Sequence, residues 1–409
     1  MPEPKSAAIV TVGSELTEGL RIDTNTAEIA RDLHPYGFRV AEALSVADDV
    51  AVLAAALKRL TRQHELVITT GGLGPTHDDV TRDAASAALG LLLAPDAGLA
   101  EFLRPFLARH SDPGAAEQVM SQALVLTGAE VLAPTNGTAA GQVVATSAGV
   151  LVLLPGPPRE MRPMLAAWLG QSSRQRAFSA DLGVTGLPES DVQLAAQRAL
   201  LAHPLVGLTV LARPGDVRVL LMDEGAGESG LAVAGKAVAH EIGAACYSTT
   251  GETLSEAVIR VALAAGVTVA TAESCTGGLV CAALTDVAGA SAVLLGGVVA
   301  YANAAKSELL SVPPGMLAQY GAVSEQTACA MAQGARERLG ADIAASTTGV
   351  AGPTGGTTDK PVGLVWFAVS TREGTQATVK QMSGADRYAV RARATAVALD
   401  LVRREILGM

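Results

Sequence analysis

Ser274 stands directly behind an apolar run, Val267–Ala272, and just ahead of Thr276-Gly277-Gly278, where a helix is expected to begin. A hydroxyl at the carboxyl end of a strand can attack a carbonyl carbon, with helix-initiating N–H groups beside it to stabilise the oxyanion. Such a hydroxyl needs a base. All six histidines (His34, His64, His77, His110, His203 and His240) precede residue 252, so residues 252–409 cannot build a Ser-His-Asp or Cys-His site of their own. Lysine is the usual substitute, provided burial or neighbours lower its pKa. That stretch has three: Lys306, Lys360 and Lys380. Lys306 follows the next strong strand pattern, with Tyr301 close by, in V-A-Y-A-N-A-A-K. Simpler readings compete. Ser274 or Thr276 would serve equally as a helix N-cap, and a lone helix lysine is normally a solvated charge.

Other predicted strand ends add ligand-binding character. The small-residue loop after Ser346 carries Thr348, Gly349, Gly352, Gly355 and Gly356, and its backbone donors could wrap a phosphate or ribose. Ser324 sits at an expected helix N-terminus, and Arg387 and Arg391, one turn apart, could clamp an anion. Together they describe a pocket for a small anionic nucleotide. A second constellation lies near the N-terminus, in T-T-G-G-L-G-P-T-H-D-D. There Gly71, Gly72 and Gly74 let the backbone approach an anion, and Thr76 adds a hydroxyl. Asp78, Asp79 and Asp83 would repel a bare phosphate but could hold a divalent cation bridging to one. Alternatively, Asp78 and Asp79 merely cap the following helix. The segment Asp23-Thr24-Asn25 and the P-G-P-P-R-E run from Pro155 to Glu160, with Gly156 in its turn, would join this edge if the strands run parallel. His77 reads as an ordinary exposed histidine.

These residues need a scaffold. Residues 1–170 alternate short β-branched runs with helical patterns, which implies right-handed crossovers and a parallel sheet covered on both faces. Residues 252–409 repeat the alternation. Between them, 171–251 read as a small α+β module of order βαββαβ, entered through a polar linker, Gln171–Arg176. One G-x-x-G in it, Gly227–Gly230, contains Glu228, which would repel an RNA backbone. The expected fold is α/β: two three-layer domains with mostly parallel sheets, joined by this module. Of the 409 residues 49% are hydrophobic, only 17% are charged and 3% aromatic, so disorder is excluded and the cores must be aliphatic. The net charge of −10 argues against a sequence-independent grip on nucleic acid, and residues 1–170 hold 19 acidic against 12 basic side chains. Four cysteines without a C-x-x-C pair disfavour a disulfide framework or zinc ribbon and suit a reducing cytoplasm. No signal peptide is read in Met1–Ser6, and the longest apolar run, Ala292–Ala302, is too short for a membrane span.

With these motifs in place, the chain resembles a known family. Residues 7–170 are similar to the molybdopterin-binding domain of molybdenum-cofactor biosynthesis proteins, through T-T-G-G-L-G-P-T-H-D-D-V-T and L-P-G-P-P-R-E-M. Together with A-E-S-C-T-G-G, G-A-V-S-E-Q-T-A and T-T-G-V-A-G-P-T-G-G-T-T-D-K-P-V-G, the whole chain resembles the CinA (competence/damage-inducible) family. The resemblance implies that the C-terminal region deamidates nicotinamide mononucleotide without a cofactor, with Ser274 as nucleophile, Lys306 as base and Tyr301 assisting. Thr276, Gly277, Gly278 and the 349–356 loop would hold oxyanion and nucleotide. For the N-terminal domain it implies metal-dependent hydrolysis of ADP-ribose to AMP and ribose 5-phosphate. Asp79 matches the aspartate of the shared pattern; Asp23, Asp78 and Glu160 are added as metal ligands by position, with Asn25 on the substrate. The expected partners are these nucleotides and a second copy of the chain, with no direct nucleic acid or membrane contact. Two alternatives remain: a non-catalytic nucleotide-binding protein acting through a competence or recombination partner, and a molybdopterin-handling first domain.

Overall fold

Runs such as Ala7–Val12, Leu66–Thr70 and Val150–Leu154 are apolar at successive positions, a pattern that only a strand covered on both faces can bury. The computed structural model describes residues 5–107, 112–171, 179–382 and 384–408, and it bears out that reading. The chain divides into two units, Met1–Ala177 and Phe178–Met409. In the first, a six-stranded sheet runs in the order Phe38–Val46, Lys5–Val12, Leu66–Thr70, Val150–Leu154, Gly141–Ala145, Glu130–Leu132. The first three pairings are parallel and the last two antiparallel. Val10, Val67 and Leu151 face one helical layer, with Leu53, Leu57 and Ala84. Ile9, Ile68 and Val152 face the other, with Ile29, Met161 and Leu165. This is the expected three-layer α/β arrangement, with an antiparallel edge that no sequence pattern announced.

The second unit contains two sheets. One is four-stranded and antiparallel, in the order Val206–Arg213, Asp216–Asp223, Ser179–Val184, Cys246–Ser248, and the helices Glu189–Leu200 and Gly227–Ile242 share its core. The expected G-x-x-G forms the start of the second of these helices, and the Asp223 carboxylate already accepts the N–H groups of Gly225 and Gly227, both at 2.9 Å. The polar stretch read as a linker lies, from residue 172, outside the described residues. The other sheet is five-stranded, in the order Leu294–Val299, Val269–Glu273, Ile343–Gly349, Leu364–Ser370, Thr375–Gln381. Its first two pairings are parallel and its last two antiparallel. Helices Leu254–Ala265 and Arg387–Leu407 pack one face, and Asn303–Leu310 and Glu325–Leu339 the other. Among the described residues no helix is long and apolar enough to cross a membrane.

One core position departs from the usual pairing of buried polar groups. The Thr69 hydroxyl, on the strand Leu66–Thr70, is fully buried and finds no hydrogen-bond partner among the described residues. An unpartnered buried hydroxyl costs roughly 1–3 kcal/mol, and valine has nearly the same shape. Thr69→Val should therefore stabilise the first unit by about 1 kcal/mol, read as a higher urea midpoint. A lower midpoint would mean that the hydroxyl is bonded after all.

Candidate functional site

The parallel strands Val269–Glu273 and Leu294–Val299 end side by side, with Glu273 opposite Val299. Ala300 N–H then donates to Glu273 O at 2.8 Å, which ties together the two segments that follow the strands. One segment carries Ser274, whose N–H is held by Thr347 O at 2.9 Å. The other turns into the helix Asn303–Leu310. Side chains in a first helical turn lean back toward the helix N-terminus, so Lys306 reaches back over the strand ends. Its Nζ lies 3.1 Å from Ser274 Oγ, 2.8 Å from Ala300 O and 3.0 Å from Tyr301 O. Lys306 is 0% exposed, so the solvated-lysine reading fails. Burial lowers its pKa from the ordinary lysine value, opposed by a weaker contribution from Cys275. Cys275 is no rival nucleophile, because burial pushes its thiol up to about 11.

The N-cap reading of Ser274 and Thr276 fails as well. Helix Leu279–Thr285 has Gly278 at its cap position, and Thr276 Oγ1 is bonded to Thr347 Oγ1 at 2.7 Å. The group that caps the helix is Glu273, which residue patterns did not single out. Its buried carboxylate accepts from the N–H groups of Gly278, Val280 and Cys281. The available signal was an acidic residue ending an otherwise apolar strand just before a helix.

Several other expected contacts are redirected. Tyr301 is 63% exposed, and its hydroxyl meets Arg387 at 3.4 Å rather than Ser274 or Lys306; what Lys306 takes from Tyr301 is the carbonyl. Arg387 also donates to Gly352 O at 2.8 Å, and Arg391 donates to Cys275 O at 3.2 Å and Thr276 O at 2.7 Å. The two arginines therefore brace the loops around Ser274 rather than standing as a free anion clamp. Ser324 is the plain N-cap of Glu325–Leu339, accepting from Thr327 N–H at 3.3 Å. Thr348 is buried and donates to Ala322 O at 2.6 Å. Gly349 ends its strand, while Gly355 and Gly356 lie exposed in the loop beyond Gly352.

In the first unit, the three expected loops do converge. They line a pocket of about 1310 Å3, with Asn25, Gly71, Gly72, Gly74, Thr76, Gly156, Asp23, Asp78, Asp79 and Glu160 all in its wall. Its glycine-rich loop is self-satisfied. Asp79 accepts from Gly74 N–H at 2.6 Å, Thr76 N–H at 2.8 Å and Thr76 Oγ1 at 2.6 Å, so it clamps the loop and does not cap the helix. Arg82, a residue without a sequence signal, completes the brace from Thr81–Leu89 by donating to Leu73 O and Gly74 O. Gly71 is required sterically: its φ is +106°, and a Cβ there would lie 2.3 Å from Val12 O. Asn25 ties the strand end together, donating to Thr70 Oγ1 at 2.9 Å and Gly156 O at 2.7 Å.

The four-carboxylate metal set does not form. Asp23 spends its oxygens on Thr26, and Asp79 spends its own on the loop. Glu160 has its pKa raised by burial, only partly offset by Arg159. Among the described residues no group of three acidic, histidine or cysteine side chains could hold a metal ion.

The model of the CinA C-terminal domain matches residues 251–406, and that of the probable molybdopterin-binding domain matches residues 8–172. A CinA-like protein of Koribacter versatilis is 38% identical over 98% of this chain and 100% of its own length. One from Thermotoga maritima is 35% identical over 99% of both. A solved competence/damage-inducible protein of Agrobacterium tumefaciens is 43% identical, spanning 36% of this chain and 90% of its own, with a TM-score of 0.36. With one end matching each of two family models and full-length relatives of this likeness, the chain belongs to the CinA family, and its first domain is of the molybdopterin-binding type.

Proposed function

We propose that the second unit is an amidohydrolase acting on nicotinamide mononucleotide, releasing ammonia and leaving the carboxylate. The observation that carries this reading is the buried Lys306 amine 3.1 Å from Ser274 Oγ. A neutral amine has two N–H bonds and one lone pair. Ala300 O and Tyr301 O take the two N–H bonds, so the remaining direction of the nitrogen, its lone pair, faces the serine hydroxyl. Ser274 Oγ then attacks the carboxamide carbon as its proton passes to Nζ. The ammonium formed returns that proton to the departing nitrogen, which leaves as ammonia. Water, deprotonated by the same amine, cleaves the acyl-serine and restores the hydroxyl.

A second activity is proposed for the first unit, hydrolysis of ADP-ribose to AMP and ribose 5-phosphate. A pocket of about 1310 Å3 has ample room for a nucleoside diphosphate sugar. A divalent cation fits there only as cargo of the pyrophosphate, since the protein supplies no three-ligand cluster among the described residues. Asp79 acts through the loop it clamps.

Incubating the protein separately with nicotinamide mononucleotide and with ADP-ribose plus magnesium tests both readings. Ser274→Ala and Lys306→Ala should each abolish ammonia release and leave AMP formation intact, while Asp79→Ala does the reverse. Ammonia release unaffected by Lys306→Ala would refute the dyad, and binding of either nucleotide without turnover would favour a non-catalytic role. The rate of ammonia release should rise with pH to a plateau, with an inflection below the ordinary lysine value. Stability carries the same sign. The unfolded chain binds more protons than the folded one between the lowered pKa and the ordinary one, so stability rises with pH across that window. Lys306→Met removes the effect. The stability of the unsubstituted protein relative to this variant should therefore increase from neutral pH toward pH 10; a flat difference would mean an unshifted lysine.

A further inference from the structure

Aromatic rings are scarce in this chain, which holds 5 phenylalanines and only 3% aromatic residues in all. Phe38 and Phe367 are buried in the cores of the two larger sheets. Phe102 and Phe106 are used differently: one turn apart on the helix Ala97–Leu107, both line the pocket of the first unit. That helix already has a stripe for its core, because Leu99 and Leu103 are buried against Val119, Ala123 and Ala140. Phe106 is partly buried against this small core, while Phe102 is left 38% exposed. Burying a phenylalanine stabilises a fold, so an open ring in a pocket wall gives up part of that gain. The two ring centroids lie 5.6 Å apart, with the planes inclined by 46°. A flat heterocycle can therefore lie on the face of one ring and meet the edge of the other.

Polar side chains beside the pair are engaged with other protein groups. Glu101 and Arg104, on the same helix, meet each other at 3.1 Å and lie outside the pocket wall. Gln122, at the end of the adjoining helix Pro113–Ser121, accepts from Thr138 Oγ1 at 2.9 Å and donates to Val119 O at 3.3 Å. Elsewhere the wall is made of glycine turns and carboxylates, among them Asp23, Asp78 and Asp79. Pressing a diphosphate or a sugar hydroxyl against an apolar ring strips it of hydrogen bonds, whereas every base has a π-face to stack. We propose that Phe102 and Phe106 form a base subsite: the adenine of ADP-ribose stacks there, leaving the pyrophosphate for the polar part of the wall. The inference rests on the ADP-ribose reading and narrows the substrate class to diphosphates that carry a heterocyclic base.

The test uses the full chain and the two halves of ADP-ribose, AMP and ribose 5-phosphate, each titrated by calorimetry. AMP formation from ADP-ribose plus magnesium is the activity readout. Phe102→Ala should raise KM for ADP-ribose about tenfold and weaken AMP binding by the same factor, as loss of one stacked base does. Ribose 5-phosphate should bind as before. Phe102→Trp should bind AMP at least as tightly as the unsubstituted chain, and Phe102→Leu, apolar but without a π-face, should behave like Phe102→Ala. Equal weakening of AMP and ribose 5-phosphate would mean a distorted pocket, and full AMP affinity in Phe102→Leu would mean packing alone; either overturns the subsite. If ADP-ribose is not hydrolysed but AMP binding depends on Phe102, the hydrolysis reading fails and the subsite stands. If hydrolysis proceeds with KM and AMP affinity indifferent to Phe102→Ala, the subsite fails and the reading stands, whatever happens to the oligomeric state. If the protein neither hydrolyses ADP-ribose nor binds AMP, both fall.

Discussion

Everything in the second unit turns on an amine buried away from bulk solvent. A buried ammonium loses several kilocalories per mole of solvation, and among the described residues no carboxylate pairs with Lys306 to compensate. Among the described residues its hydrogen-bond partners are two backbone carbonyls and one hydroxyl. That environment gives either form its hydrogen bonds but gives the ammonium neither solvent nor a countercharge, and the resulting lowered pKa is the condition a lysine base requires. The arrangement depends on backbone alone at two of its three points. It therefore depends on two parallel strands ending at the same level, and on a helix that starts four residues after the end of one of them.

The two units solve a similar local problem in similar ways. Each presents a glycine-rich turn at a strand end, and each braces it internally with one carboxylate and one guanidinium. In the first unit Asp79 takes the N–H groups of Gly74 and Thr76 while Arg82 donates to the carbonyls of Leu73 and Gly74. In the second, Glu273 takes three helix-initiating N–H groups while Arg391 donates to the carbonyls of Cys275 and Thr276. A turn with many unpaired donors and acceptors is held in one conformation only if most of them are paired.

Much of this was legible in the residues. The strands read at Ala7–Val12, Leu66–Thr70, Val150–Leu154 and Val267–Ala272 lie within two residues of those observed, because apolar runs report burial directly. The absence of histidine beyond residue 252 pointed to lysine by elimination, and scarcity narrowed the choice to three. Other features were hidden. The strands Glu130–Leu132 and Gly141–Ala145 are too short for a period to declare itself, so the antiparallel edge was missed. Arg387 and Arg391 looked like a free clamp because a helix spacing of four tells which side chains are neighbours, not what they face. The four carboxylates assigned to a metal lie in loops and a helix start that do meet, yet their oxygens are spent locally or kept apart.

Sequence by itself determined the inventory: which groups exist, which cannot, and which segments must be buried strands or helices. It also pointed to the family, through the motifs at its two ends. Only the tertiary structure decided how each polar atom is used. Hydrogen bonds are short and directional, and the partners of Ser274 and Asn25 are selected by differences of an ångström between segments that meet only on folding. Desolvation of Lys306 is likewise a property of everything packed around it, including residues far along the chain. Composition can say that a lysine is present; the packed interior makes it a base.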